Sequence, residues 1–565
     1  MKRYVIVGGV AGGMSAATRL RRLDEEAEII VLERSGHVSY ANCGLPYYVG
    51  GVIEEESSLL LQTPASLRAR FSLDVRIRSE VVELNSKEKS VTIRDLEKNE
   101  IYQLTYDKLI LSTGATPIIP PLDGVNRALT LRNIEDVERI VSELSKKPKN
   151  AVVIGGGFIG LEIAENLVHR GISTSLVEAS QQVLPPLDPE MASLVAAELI
   201  KNEVTLFLGK SAAEITADSV ILNDGLQIPG ELVILAIGVR PDTSIASKAG
   251  LKIGPKGGVS VDNFQLTSDE NIYAIGDMVE KIDELDGSAT LIPLANIANR
   301  QGRIVADHIA GREIRPIKTI GTAIVKVFKL AIATTGWNEK KLAASQVKYQ
   351  VIHSHPNSHA SYYPGAEQMT LKLMFSPDTG EIFGAQGVGY EGVDKRIDVI
   401  ATAIRGGISA PELADLELSY APPFGSAKDP VNMLGYIAEN VMTSLVDTAQ
   451  WNEVESFRKA GYQIVDVRTK SEFERGFIPG SINIPVDEIR KRSGELLNRK
   501  LLVTCQVGQR GHTATLLLKS LGFDPVNLDG GYLLWSQSPA GSQEFFISHG
   551  KVPMEENKRK EKANV

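Results

Sequence analysis

Cysteine is almost missing from this chain: 565 residues hold two, Cys43 and Cys505. Thiols so far apart in sequence make no disulfide framework, which excludes a small stapled scaffold and fits a reducing cytosol where each thiol is kept for its reactivity. No apolar run reaches the ~18 residues needed to cross a bilayer, so no membrane segment is expected. Basic charge is not in excess either. Lys and Arg number 61 against 70 Asp and Glu, a net charge of −9, which removes the footprint of a nucleic-acid binder while leaving local basic clusters free to hold an anion. The opening "MKRYVIVGGVAGG" runs strand-like residues into a glycine turn without a small-residue cleavage site, so export is not expected and the cytoplasm is. What remains is length, enough at ~150 residues per domain for about four separate cores.

Two stretches share one pattern, a β-branched strand, a glycine turn and an alanine-rich helix: "YVIVGGVAGGMSAATRLRRL" from Tyr4 and "AVVIGGGFIGLEIAENLVHRG" from Ala151. Each is followed by a second apolar strand ending in an acid, Glu33 and Glu178. These are two βαβ units, hence an α/β chain with two Rossmann-like dinucleotide-binding domains. Strand-then-turn segments "LILSTGATPIIPP" and "NIYAIGDM" return to the first domain, which is expected over 1–115 and 250–325, with the second, 116–249, inserted. From about Gly321 the pattern turns β-rich and then helical, predicting an α+β domain over 326–440 with no phosphate loop. A compact α/β unit over 450–548 and a charged, disordered tail over 549–565 complete the chain.

In "GGGFIG", Gly155, Gly157 and Gly160 stand between strand and helix, where glycine lets the backbone turn tightly and approach a pyrophosphate at the positive helix start. Glu178 is placed to accept from a ribose 2′-hydroxyl. It would repel a 2′-phosphate, and the following "ASQQ" offers no arginine, so NADH is favoured over NADPH, with Gly238 completing the expected contacts. The first turn, Gly8, Gly9, Val10, Ala11, Gly12 and Gly13, puts Val10 where the middle glycine belongs. Together with Glu33, Arg34, Thr113, Gly114 and Asp277, it looks like the FAD site of the two-dinucleotide-domain flavoprotein reductases, which hold the nicotinamide in the second domain.

In that superfamily the redox cysteines follow the second strand of the FAD domain as a pair with C-x-x-x-x-C spacing. Here Cys43 is followed by "GLPYY" and has no partner within the chain. It must cycle as a sulfenic acid, a persulfide or a mixed disulfide with a small thiol. A helix N-terminus at this point is expected to lower its pKa and keep it a thiolate.

The stretches "SYANCGLPY", "LRNIEDVERI", "NRQGR", "SHASYYPGA" and "LSYAPPFGSAKDPVN" resemble the coenzyme A-disulfide reductases across residues 1 to about 440. The resemblance implies that coenzyme A supplies the missing sulfur and that Cys43 is the nucleophile. It implies a coenzyme A site of Ser15, Arg19, Arg22, Ser39, Asn42, Asn299, Arg303 and Lys428. Arg19 and Arg22 lie three apart on the first helix, a face that could clamp phosphates. Two tyrosines of a partner subunit, carried to Tyr362 and Tyr420 with Tyr363 as the adjacent alternative to Tyr362, would serve the active site. That implies a homodimer through the α+β domain.

The last unit holds "CQVGQRG", a C-x-x-x-x-R loop from Cys505 to Arg510 between a strand and a helix, suited to a thiolate or persulfide anion. With "VDVRTKSEFERGFIPGSINIP" and "NLDGGYLLW" it resembles a rhodanese, a sulfurtransferase. Phe477 departs from the histidine many rhodaneses carry there. The spacing of His353, His355 and His359 could suggest a metal, but no matching ligand cluster follows. No metal is expected, and the three are read as loop or interface residues.

The expected activity passes a hydride from NADH through FAD to a Cys43–coenzyme A disulfide. The resulting thiolates reduce a persulfide, polysulfide, coenzyme A persulfide or coenzyme A disulfide, and Cys505 delivers sulfane sulfur. The alternative is an NADH peroxidase or oxidase using a Cys43 sulfenic acid. Those relatives place a histidine in the first glycine turn where this chain has Ala11.

Overall fold

The computed structural model describes residues 1–497 and 499–541, so the expected tail and the last residues assigned to the fourth domain lie outside it. The chain folds as two compact units, Met1–Gln181 with Leu199–Gly321, and Gln182–Glu198 with the chain from Thr322 onward.

The first unit contains two all-parallel sheets. One runs in the order Ile272–Ala274, Lys108–Leu111, Arg3–Val7, Glu28–Leu32, Asp74–Arg76. The second runs Thr205–Leu208, Ser173–Glu178, Asn150–Ile154, Leu232–Leu235. Their strands read as unbroken apolar runs because both faces are covered: Val5, Ile6, Ile30, Val31, Val152 and Val153 are wholly buried. The late strand Ile272–Ala274 pairs with Lys108–Leu111, so this sheet is closed by a segment more than 150 residues downstream in the sequence.

Each glycine turn lies at the carboxyl end of its first strand, where ligands of open α/β sheets bind. Gly8 and Gly155 take positive φ, +105° and +113°, which a side chain would strain. Val10 has φ −110°, outside the left-handed region that favours glycine, so the missing middle glycine brings no positive-φ strain. The helix Ala11–Leu23 lies against Ala295–Ile309 so closely that a Cβ on Gly302 would come within 3.0 Å of Ala16 N.

The second unit contains an antiparallel five-stranded sheet, ordered Ala323–Val327, Leu330–Gly336, Ile382–Gly389, Met369–Phe375, Gln350–Ser354. The helices Val393–Gly406 and Pro430–Met442 follow it. Asp429 caps the second helix and is gripped by the buried Arg396 at 3.0 Å. A parallel sheet then runs Thr448–Ala449, Asp524–Leu528, Lys500–Thr504, Gln463–Asp466, Ile482–Asn483. The stretch Gln182–Glu198, which the sequence reading put with the second dinucleotide domain, packs in this unit. Its acids Asp188 and Glu190 close on the buried ammonium of Lys372.

The architecture is the expected α/β chain: two Rossmann-type sheets, an α+β domain and a carboxy-terminal α/β domain. Among the described residues, no helix is long and apolar enough to cross a membrane.

Candidate functional site

The two glycine turns share one device. Gly9 N–H donates to Glu33 Oε2 at 2.8 Å and Ser35 N–H to Glu33 Oε1 at 2.8 Å. Gly156 N–H donates to Glu178 Oε2 at 2.7 Å and Ser180 N–H to Glu178 Oε1 at 2.7 Å. The acid ending each second strand is thus fixed rigidly beside its turn, and each carboxylate oxygen keeps a lone pair for a ribose hydroxyl. A Cβ on Gly157 would meet nothing within 4 Å, so the second turn opens onto free space at the start of the helix Phe158–His169. These residues fit a dinucleotide: a turn of backbone N–H groups, a helix start and a fixed acid.

Around the first turn, Thr113 Oγ1 donates to Asp242 O at 2.7 Å, Arg34 pairs with Asp242 at 3.4 Å, and Arg132 donates to Thr113 O at 3.0 Å. Gly114 and Gly238 both take positive φ. Burial pushes the Asp277 carboxyl up, opposed by the charges of Lys281 and Arg132. The residues expected to hold FAD therefore surround one edge of the first sheet, with Val10 compatible in backbone.

Cys43 lies in a 3-10 turn, Asn42–Gly44, ahead of the six-residue helix Leu45–Gly50. Its side chain is exposed, yet its thiol is pushed above its ordinary pKa, first by the protein mass around it, then by the charges of Glu162 and Asp277. This corrects the expectation of a thiolate favoured by a helix start. The helix is short, the one lowering influence is a backbone hydrogen bond, and burial, aided by two carboxylates from distant segments, outweighs it.

Among the residues assigned to coenzyme A, Ser15 Oγ donates to Asn299 Oδ1 at 2.9 Å, joining the two packed helices. Arg19 forks onto Asp307 Oδ1 at 2.9 and 2.7 Å, and Arg303 and Arg312 approach the same carboxylate at 3.7 and 3.6 Å. Three guanidinium groups share one carboxylate, which leaves about two positive charges uncompensated within this cluster. The expected clamp of Arg19 with Arg22 is divided, because Arg22 stacks over the Phe71 ring at 5.2 Å while Asp307 draws Arg19 away. Asn42 is exposed, and Ser39, in a left-handed conformation, is tied through its N–H to Gly9 O at 2.8 Å.

In the second unit Tyr362 and Tyr420 meet, hydroxyl to hydroxyl, at 2.9 Å, and both are exposed. That hydrogen bond pushes the Tyr362 phenol up. Tyr363 instead packs edge-on against His359, with ring centres 5.6 Å apart. Lys428 is exposed, its ammonium 5.8 Å from the centre of the Tyr436 ring.

Cys505 follows the strand Lys500–Thr504 and is buried. Its loop turns at Gly508, φ +90°, into the helix Gln509–Ser520. Arg510 grips Glu472 with two hydrogen bonds, 2.8 and 2.6 Å, and holds that carboxyl down to about 2.

All three histidines are buried; His355 and His359 lie outside any strand, as the loop reading expected, while His353 does not. His353 lies in the strand Gln350–Ser354 and His355 just beyond it. The carboxylates of Asp188, Glu190 and Glu339 converge, and the Lys372 ammonium sits among them as their counter-ion.

Comparison with known proteins matches the family described as pyridine nucleotide-disulphide oxidoreductase to residues 2–302, its dimerisation domain to 322–430 and a rhodanese-like domain to 450–538. The coenzyme A disulfide reductase of Staphylococcus haemolyticus is 33% identical over 443 residues, 78% of this chain and all of the relative. The chain belongs to the pyridine nucleotide-disulphide oxidoreductases. Among solved structures, reduced CoADR-RHD of Bacillus anthracis is 49% identical with a TM-score of 0.93, covering 95% of this chain and 98% of that one. The NAD-dependent persulfide reductase of A. fulgidus is 35% identical with a TM-score of 0.90, covering 94% and 100%.

This oxidoreductase is an NADH-dependent flavin reductase of disulfides or persulfides joined to a rhodanese domain. Its structure adds two residues that the motifs did not single out. Glu162, two positions after Gly160, accepts from Tyr47 Oη at 3.3 Å, and Tyr47 lies four positions after Cys43. Burial pushes the Glu162 carboxyl up to about 7, against the lowering by Tyr47 and aided by Glu165. A carboxyl that exchanges its proton near neutral pH therefore stands in the electrostatic reach of the Cys43 thiol. The i, i+4 spacing of Cys43 and Tyr47 was the available signal. The partner acid, 115 residues beyond Tyr47, was not local.

Proposed function

We propose that this flavoprotein reduces coenzyme A persulfide and coenzyme A disulfide through a Cys43–coenzyme A mixed disulfide, and that Cys505 carries sulfane sulfur as a persulfide. The observation that carries the coenzyme A reading is the sharing of the Asp307 carboxylate by Arg19, Arg303 and Arg312, a cationic cluster beside the Ser15–Asn299 pair, suited to the phosphates of a nucleotide thiol. A single cysteine without a partner in its own fold unit supports it, since the redox couple then needs an external thiol.

The first glycine turn with Glu33 and Asp277 would hold FAD, which would supply two-electron transfer from NADH to sulfur. The Cys43 thiolate attacks the carbon-bearing sulfur of coenzyme A persulfide, the S–S bond breaks, and hydrosulfide leaves. Two electrons from NADH then cleave the mixed disulfide to the Cys43 thiolate and coenzyme A thiol, the hydride supplying the thiol proton. The sum is NADH plus coenzyme A persulfide giving NAD+, coenzyme A and hydrosulfide. Glu162 buffers the proton near Cys43, whose raised pKa disposes a released thiolate to take one up.

At the other site the Cys505 thiolate takes the outer sulfur of a donor such as thiosulfate, releasing sulfite, and passes it to an acceptor nucleophile. Arg510, fixed by Glu472, sets the charge around the loop. Glu178 sets the preference for NADH over NADPH. The active form is a cytosolic homodimer in which Tyr362 and Tyr420 serve the partner's site, consistent with their mutual hydrogen bond and exposure. The functional domains are 1–115 with 250–325 for FAD, 116–249 apart from Gln182–Glu198 for NADH, 326–440 for dimerisation and 450–548 for sulfur transfer.

The test is NADH oxidation with coenzyme A persulfide and with coenzyme A disulfide. Turnover with one or both that vanishes in Cys43→Ser supports the reading. Absence of turnover with both, or activity retained in Cys43→Ser, rejects it.

A further inference from the structure

The histidine motif that the reductase chemistry leaves unused reaches the sulfur-transfer loop. His353 is buried on the strand Gln350–Ser354, and its backbone N–H and ring both bind Asp529: N–H to Oδ1 at 3.1 Å and Nδ1 to Oδ2 at 2.7 Å. On its other side Nε2 faces Glu190 Oε1 at 3.3 Å. Gln450 adds a bond to Asp529 Oδ2 at 3.3 Å and one to Val351 O at 3.1 Å, so Asp529 is held from two elements.

Asp529 opens the turn Asp529–Gly530–Gly531 that leads into the helix Gly531–Gln537. The start of that helix lies on the Cys505 loop. Tyr532 N–H donates to Cys505 O at 2.7 Å and Leu533 N–H to Gln506 O at 2.9 Å. A Cβ on Gly531 would come within 2.6 Å of Cys505 O, so no slack exists between turn and loop. The path from His353 to the carbonyl of Cys505 is thus two hydrogen bonds joined by four residues of tightly packed backbone.

We infer that His353 is a positioning residue for sulfur transfer, holding the Asp529 turn so that the Cys505 loop keeps the shape that receives and releases sulfane sulfur. The inference rests on the proposed role of Cys505 as sulfur carrier.

The charges around His353 support the cationic form. Burial opposes it, but Asp529 and Glu190 prevail and hold the pKa up to about 9. Lys372 repels it, yet that ammonium is itself neutralised by Asp188, Glu190 and Glu339. His355, which contacts the same turn near Gly530, is driven down to about 4, first by burial and then by the charge on His353. Only one of the pair is a cation at neutral pH. Because the folded pKa of His353 is raised, the stabilisation is complete below about 6.5 and is lost as pH rises through about 9.

The experiment uses the full chain, with thiosulfate as donor and cyanide as acceptor. His353→Gln is expected to lower kcat for transfer about tenfold, with the KM for thiosulfate unchanged and NADH oxidation by the reductase site within twofold of the parent. The parent kcat should fall above about pH 9, and His353→Gln should lack that step. A kcat for His353→Gln equal to the parent's at pH 7.5, or an unaltered alkaline limb, overturns the inference. Cys505→Ser separates the two readings, since transfer surviving in it would reject the sulfur-carrier role itself. A measurement on the unsubstituted protein guards against a variant that fails to fold. Amide exchange of Tyr532 and Leu533, corrected for its intrinsic pH dependence, should rise at least about threefold between pH 8 and 10 relative to the strand Gln463–Asp466. Equal protection across that range contradicts the inference.

Discussion

Tyr47 donates its phenolic hydroxyl to Glu162 Oε1 at 3.3 Å, tying the helix that follows Cys43 to the helix that follows the second glycine turn. The carboxyl so held titrates at about 7, and its folded pKa lies above its unfolded one. The folded chain therefore holds this proton more tightly, and the stability contribution of Glu162 declines as pH rises from about 4.5 to about 7. A pH–rate profile for coenzyme A disulfide reduction should show a limb near pH 7 that Glu162→Gln abolishes. Tyr47→Phe removes a hydrogen bond that lowers the pKa and should move that limb up by about half a unit to one unit.

The proposed preference for NADH gives Glu178 the deciding role. Its carboxylate, fixed by Gly156 and Ser180, meets a ribose hydroxyl favourably and a 2′-phosphate with like charge. In steady-state kinetics NADH should exceed NADPH in kcat/KM by at least about tenfold, and Glu178→Ala should raise the KM for NADH by a similar factor. A preference for NADPH would remove this role.

The cationic cluster on Asp307 gives a second binding prediction. Arg303→Ala should raise the KM for coenzyme A disulfide about five- to tenfold while kcat is kept, because a phosphate contact contributes equally to ground and transition states. The same KM should increase with ionic strength, since the contact is partly exposed. Insensitivity to both would place the phosphates elsewhere.

At the sulfur-transfer loop, Cys505→Ser should reduce thiosulfate-to-cyanide transfer to background and leave coenzyme A disulfide reduction unchanged. Arg510→Ala should cost about ten- to hundredfold in transfer, because it removes positive charge beside the sulfur and frees Glu472. Glu472, held down to about 2, keeps the pair ionised at all pH values used in such assays.

Residues that act within a strand–turn–helix were legible in the sequence. Gly155, Gly157 and Gly160 stand where their spacing places them, and the acids Glu33 and Glu178 end their strands beside the turns. The parallel sheets followed from the two βαβ units, and Cys505 follows a buried strand as its loop pattern implied. What could not be read is pairing across long separations. Arg19 finds Asp307 at a distance of 288 residues and leaves Arg22 behind, and Cys43 feels Glu162 from the second glycine helix. His353 reads as a loop histidine until a strand buries it against Asp529, 176 residues away. The helix-start argument for Cys43 failed for the same reason, since local sequence gives the helix and not the burial, nor the carboxylates from distant segments, that raise the thiol pKa.

The central claim is that an external thiol completes the redox couple at Cys43, and intact mass spectrometry of the oxidised protein tests it most directly. A coenzyme A-sized adduct on the peptide containing Cys43, released by NADH or by a reducing thiol and absent from Cys43→Ser, is the predicted result. Full reductase activity in protein whose Cys43 carries no such adduct at any stage of turnover would contradict it.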